Sequence, residues 1–152
     1  MNLMRLGKYI FFMILLFNCG NNIPYSEETI LRRPVGITIT AKPGLSFDLS
    51  YYVQNEEKTF DGYNLYISRN TIGDSEVETG ILPLNLSGTL PTFQHSSEQV
   101  DLTNPIIQNI SLYSDSITKF EKDVVYYFRI TAHSRFGYIS EASNEVFAAA
   151  LE

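Results

Sequence analysis

Tryptophan is absent, cysteine occurs once, and 11 lysines and arginines face 17 aspartates and glutamates. Each scarcity excludes something. A single cysteine forms no internal disulfide and no thiolate metal cluster. Few basic side chains make nucleic acid a poor partner, because phosphate binding is driven by counterion release onto Lys and Arg. Long apolar runs are missing too. The longest, Tyr9–Phe17 (YIFFMILLF), spans roughly 14 Å at ~1.5 Å per residue, short of the ~30 Å hydrocarbon core of a bilayer. The two histidines, His95 and His133, lie far apart, and neither has a Cys, His, Asp or Glu at ligand spacing. Glu76, Glu78, Asp115, Glu121 and Asp123 are scattered acids without the spacing of a calcium loop. No G-x-S-x-G, phosphate-cradling glycine loop, Cys–His pair or Arg-Gly-Asp tripeptide occurs. Neither an enzyme nor a metal or cofactor site is expected.

What the chain does have is 10 Phe and 10 Tyr among 44% hydrophobic residues, enough for one core in a chain of 152. Val124–Thr131 is crowded with β-branched and aromatic residues, which suit a pleated, half-buried surface. The glycine-containing turn SRFGY follows, and Ala142–Ala149 is placed to return as an antiparallel partner. Alternation puts Tyr126, Phe128, Ile130 and Ala132 on an apolar face. Val125, Tyr127, Arg129, Thr131 and His133 fall on the other. Such a hairpin needs a second sheet to cover it.

Upstream, Pro34–Ala41, Leu45–Val53 and Phe60–Ser68 alternate with the same period, and a strand is also expected over 107–119. In the second run Leu45, Phe47, Leu49 and Tyr51 point inward; in the third, Tyr63, Leu65 and Ile67 share a face. Helical stripes are scarce after residue 30. The reading is an all-β chain, an antiparallel β-sandwich of seven strands, with almost no helix after residue 33.

These residues resemble a fibronectin type III domain over Pro34 to about Ala149. Tyr51 stands where that family carries an inward Trp, and Gly62, Tyr63, Leu65 and Ile67 match its third strand. Phe120 precedes Tyr126, Phe128, Ile130 and Ala132 at the spacing of its sixth strand. Gly137, Ser140 and Ser143 match its turn into the last strand. The resemblance implies that Tyr126 is a tyrosine-corner residue, its hydroxyl tied to upstream backbone.

Residues 1–18 read as an export signal, with Arg5 and Lys8 before the apolar run. The only cysteine follows directly, in Leu16-Phe17-Asn18-Cys19-Gly20. The arrangement resembles a bacterial lipoprotein lipobox, matched at Leu16 and Cys19, with Phe17 and Asn18 in place of the usual small residues. That resemblance implies acylation of Cys19, a membrane anchor and an extracytoplasmic location in the cell envelope, with the leaflet unspecified. The alternative is an ordinary cleaved signal with an incidental cysteine. Residues 19–33 would be the lipidated terminus and tether, and 34–150 the domain. Loss of Arg5 and Lys8 would leave 9 basic and 17 acidic residues, a charge of −8, which anionic headgroups would repel.

The middle of the chain, around 70–118, is longer than short strand connections need. Within it Pro91–Thr103 is polar with one aromatic, Phe93. Long loops on a rigid sandwich tend to carry binding residues. Phe93 and neighbouring His95 are therefore the expected contacts for a protein or glycan partner. Alternatively Phe93 folds back as a plug, and the region is only a longer connection. His133 is expected to be solvated on an outer strand face. Tyr52, Tyr66, Tyr127 and Tyr138 are outward tyrosines, either cross-strand pairs or a contact surface. Two functions follow: a membrane-anchored binding or adhesion module acting through loops, or a structural spacer of an envelope complex with no ligand of its own.

Overall fold

The computed structural model describes residues 30–78, 90–113 and 118–152. The expected signal, Cys19 and the tether up to residue 29 lie outside them. Two antiparallel sheets form, as the alternating runs require. Strands β1 (Thr38–Lys42), β2 (Ser46–Val53) and β5 (Asp101–Ile110) make one sheet in the order β1-β2-β5. The other runs β4-β3-β6-β7, from β3 (Phe60–Ser68), β4 (Phe93–Gln94), β6 (Val125–Ser134) and β7 (Val146–Ala149). Among the described residues helix is confined to one turn, α1 (Asp74–Glu78), and a 3-10 turn at Ser97–Gln99.

The inward residues expected on β2, β3 and β6 meet between the sheets. Phe47, Leu49, Tyr51, Tyr63, Leu65, Ile67, Tyr126, Phe128, Ile130 and Ala132 are all buried in one cluster. Phe47 sits at its centre, its ring edge-on to Phe120 at 4.8 Å and to Phe128 at 5.0 Å, in the geometry the aromatic quadrupole favours. The Tyr126 hydroxyl accepts a hydrogen bond from the Glu121 amide at 3.0 Å. This is the corner contact that the family resemblance implies.

Several strand ends differ from the sequence reading. The first strand starts at Thr38, not Pro34. Gly36 has φ +73°, which turns the chain, and the Arg32 and Val35 carbonyls accept from the Asn55 and Gln54 side chains instead of a neighbouring strand. The strand expected over 107–119 runs from Asp101 to Ile110, and among the described residues beyond it there is an isolated bridge, Leu112 to Lys119. Its early start depends on Asp101. The carboxylate accepts from the Thr103 and Asn104 amides and holds a bulge at 102–105, where Val53 pairs with Asp101 and Tyr51 with Ile106. The return strand is shorter than Ala142–Ala149. Before it begins, Ser140 Oγ and Ser143 Oγ accept the Ala132 and Ile130 amides at 2.9 and 3.0 Å. Two serine hydroxyls thus stand in for ladder partners that buried amides would otherwise lack.

His133 and Tyr66 also depart from expectation. Both lie on the outer face of the four-stranded sheet, as alternation places them, yet both are buried. Residues 69–78 fold over that face, where Ile72 and Val77 join Tyr66 and Ala142 in a second small cluster. The Tyr66 hydroxyl bonds the Thr131 hydroxyl at 3.3 Å. A bulge between Phe60 and Gly62 turns Asp61 so that its Oδ1 meets His133 Nδ1 at 2.7 Å. Among the other outward tyrosines, Tyr127 tilts against Phe147 across the strands and Tyr138 is exposed. Among the described residues no helix is long and apolar enough to cross a membrane.

Candidate functional site

The segment Leu90–Gln99 runs along the edge of β3 and ends at one pole of the sandwich. It follows that edge because position 62 is glycine. A Cβ there would lie 2.1 Å from the Phe93 carbonyl oxygen, and the residue has φ +149°. Tyr63 pairs with Phe93 and Gly62 with Gln94. The Asp61 carbonyl accepts the His95 amide at 3.0 Å, and the Leu65 amide donates to Thr92 Oγ1 at 3.0 Å.

These bonds bring the two residues singled out in the sequence, Phe93 and His95, onto the same aromatic floor. Phe93 has the packing partners that the polar stretch around it did not reveal. It is half-buried and stacked on Tyr51 with centroids 5.5 Å apart and planes 20° from parallel. His95 Nε2 lies 2.9 Å from the Tyr51 hydroxyl, with its ring edge-on to Tyr51 and tilted to Tyr63. Burial is the main influence on all three titratable groups. It pushes the Tyr51 phenol well above its ordinary range, raises Tyr63 to about 12, and lowers the His95 imidazolium. Near neutral pH the pair is therefore a protonated phenol against an uncharged imidazole. The Tyr63 hydroxyl is held separately, accepting the Gln54 amide at 3.0 Å and bonding Asn55 Oδ1 at 3.0 Å.

Beside His95 the surface opens into a depression of about 430 Å³ lined by Asp61, Leu90, Pro91, Gln94, Ser96 and Gln99. Its lining is amide, hydroxyl and carboxylate with two apolar residues. It offers several hydrogen-bond donors and acceptors, with little apolar surface to drive burial. The Asp61–His133 pair behind it has the geometry of an acid holding an imidazole. The imidazole ring is buried. The pair buttresses the sheet. No group of three or more His, Cys, Asp or Glu among the described residues could hold a metal ion.

The LIC11073-like family matches residues 37–151, most of the chain. The chain belongs to that family. No curated protein matches it in sequence. Among solved structures, it is similar to a β-1,2-glucanase from Parabacteroides distasonis, with 17% identity and a TM-score of 0.45. That overlap covers 80% of this chain but only 13% of the glucanase. A myokine structure shows 14% identity and a TM-score of 0.40, with 79% of this chain and 97% of the other covered. At these scores neither likeness bears on what this LIC11073-like chain does.

The aromatic floor was partly legible. Tyr51 and Tyr63 are inward residues of alternating strands, and Phe93 and His95 stand out in a polar stretch. Asp61 was missed as a partner for both His95 and His133. Its neighbour Gly62 is the available signal, since a glycine inside a strand run marks a bulge or a close backbone approach.

Proposed function

We propose that this chain is a membrane-anchored, extracytoplasmic binding module: a fibronectin type III-type sandwich, lipidated at Cys19, that recognises a protein or glycan through the 90–99 segment. The observation that carries the reading is the open polar depression beside His95, presented by a segment locked to β3 through Gly62. A rigid scaffold displaying loop-borne polar groups is a common way to build a recognition site. The three-plus-four strand order supports the fibronectin type III assignment. The basic start, the nine-residue apolar run and the single cysteine behind it support the anchor.

The test is capture of envelope proteins and glycans by the full mature chain, compared with a Gln94→Ala/Gln99→Ala double variant. Both side chains line the depression. Loss of a hydrogen-bonding contact of this kind weakens binding by about tenfold, or ~1.4 kcal/mol. Equal capture by the two proteins would remove the depression from the binding surface. A second reading, a structural spacer with no ligand of its own, is favoured by one feature: Phe93 and His95 are tied down on Tyr51 rather than presented to solvent. Absence of any captured species from the native envelope supports the spacer. The anchor is tested separately by Cys19→Ser, which should move the protein from the membrane to the aqueous phase and abolish fatty-acid labelling.

A further inference from the structure

The depression beside His95 has one charged residue in its lining, Asp61, and that residue is held through both its backbone and its side chain. Its carbonyl accepts the His95 amide at 3.0 Å, and its Oδ1 lies 2.7 Å from Nδ1 of His133, a side chain only 6% exposed. The Asp61 side chain itself keeps 26% of its surface exposed. With Oδ1 fixed from behind, the carboxylate is oriented before a ligand arrives, which lowers the entropy cost of binding. Gln94, Ser96 and Gln99 complete the polar lining and are exposed. Gln99 Oε1 accepts the Ser96 amide at 2.9 Å. The concave surface therefore combines amide donors and acceptors, a hydroxyl and a preset carboxylate.

The turn after β6 adds an aromatic ring at the same end. Ser134 pairs with Phe60, and the Arg135 amide donates to the Thr59 carbonyl at 3.0 Å, so this turn stands beside the stretch that carries Asp61. Phe136 in the turn is 66% exposed. The Arg135 guanidinium lies 5.5 Å from the Phe136 ring centroid and donates to the Lys58 carbonyl at 2.9 Å. The ring is thus displayed from a turn fastened to the rest of the domain.

We infer that the ligand of this end is a neutral glycan, with Asp61 Oδ2 accepting sugar hydroxyls in the depression and Phe136 meeting the C–H face of a sugar ring outside it. This ligand class rests on the binding-module reading above and names its partner. A sugar hydroxyl both donates and accepts, which matches a lining of mixed donors and acceptors. The C–H face of a pyranose is weakly positive and packs on the negative face of an aromatic ring. Charge argues against other ligands. No Lys or Arg lines the depression, and Asp61, with Glu98 and Asp101 in the neighbouring stretch, repels phosphate, sulfate and acidic sugars. A basic peptide would gain an exposed ion pair, which contributes little in water. It would also find only Leu90 and Pro91 to receive apolar anchors of the kind that dominate protein interfaces.

The test applies the full mature chain, in detergent micelles, to a printed panel. The panel holds neutral oligosaccharides of gluco, manno and galacto configuration, sialylated and sulfated oligosaccharides, and oligolysine. Neutral members should retain the protein while the charged ones stay at background. Asp61→Asn should weaken the best neutral binder about tenfold, and Phe136→Ala about fivefold. Thermal midpoints are measured alongside. If Asp61→Asn lowers the midpoint through its lost contact with His133, Phe136→Ala and Gln94→Ala decide, since both side chains are exposed. Retention only by oligolysine or only by the acidic sugars overturns the neutral class. Neutral binding that survives all these substitutions overturns the assignment to this end. An empty panel, with an envelope protein still captured and lost in Gln94→Ala/Gln99→Ala, overturns the glycan and leaves the binding module standing. An empty panel with nothing captured from the envelope overturns both.

Discussion

The outer faces of the two sheets read alike in the sequence and end differently. On the three-stranded sheet, Lys42, Asp48 and Asn109 form a small polar network in solvent: Asp48 accepts from Asn109 Nδ2 at 2.9 Å and lies 3.2 Å from the Lys42 ammonium. On the four-stranded sheet, Ile72 and Val77 of residues 69–78 pack on Tyr66, and Tyr66 and Thr131 are buried and hydrogen-bonded to each other. Alternation places a residue on a face. It does not say whether another segment will cover that face. A sheet strand flanked on both sides by strands and roofed by a helical turn, as β3 is, becomes core on both faces.

Three substitutions sharpen that comparison. The largest effect belongs to the layer the sheets share. Phe128 is fully buried against Phe47, and Phe128→Ala should cost about 3–5 kcal/mol through lost transfer and an aromatic cavity. Chemical denaturation would show most of a small domain's stability gone. A midpoint unchanged from the parent chain would mean that the register of β6 is wrong by one residue.

The roof comes next. Ile72 is 1% exposed and its amide donates to Glu145. Ile72→Ala should cost about 2 kcal/mol, toward the lower limit for isoleucine because a one-sided layer collapses more easily than a two-sheet core. Amide exchange should quicken in β3 and β6 at Tyr66 and Thr131. If exchange there matches the parent, residues 69–78 do not protect that face.

The open face should respond least. Asp48→Asn is expected to leave the thermal midpoint near pH 7 almost unchanged, since exposed ion pairs contribute little. Its signature is in acid. Hydrogen bonds from Asn109, then from Lys42, hold the Asp48 carboxyl below its ordinary 3.8. Below that value the unfolded chain binds a proton that the folded chain resists. The stability contributed above pH ~4 is therefore lost as pH falls. Asp48→Asn should flatten this part of a stability–pH curve, and a midpoint drop at pH 7 comparable to that of Ile72→Ala would erase the distinction between the faces.

How legible the fold was depends on which neighbours a residue needs. Period-two alternation with β-branched and aromatic side chains fixed the inner faces of β2, β3 and β6, and Phe60–Ser68 was bounded to the residue. β4 was not anticipated. Two residues cannot show a period, and Phe93-Gln94 is a strand only because Gly62 lets it come close. The same holds for the candidate site. Phe93 and His95 stood out by composition, but that they share Tyr51 depends on two strands from opposite sheets meeting.

By itself, then, the sequence determined an all-β chain with a β6 hairpin, because that depends on side-chain spacing along one strand; the tyrosine at its corner and the serines at its turn followed from the fibronectin type III resemblance. The tertiary structure decided the rest. A polar decapeptide, RNTIGDSEVE, became a roof because only Ile72 and Val77 had to find apolar partners. An expected surface histidine became buried because a bulge turned Asp61 toward it. Each of these outcomes joins segments distant in sequence, and no local periodicity encodes which distant segments will meet.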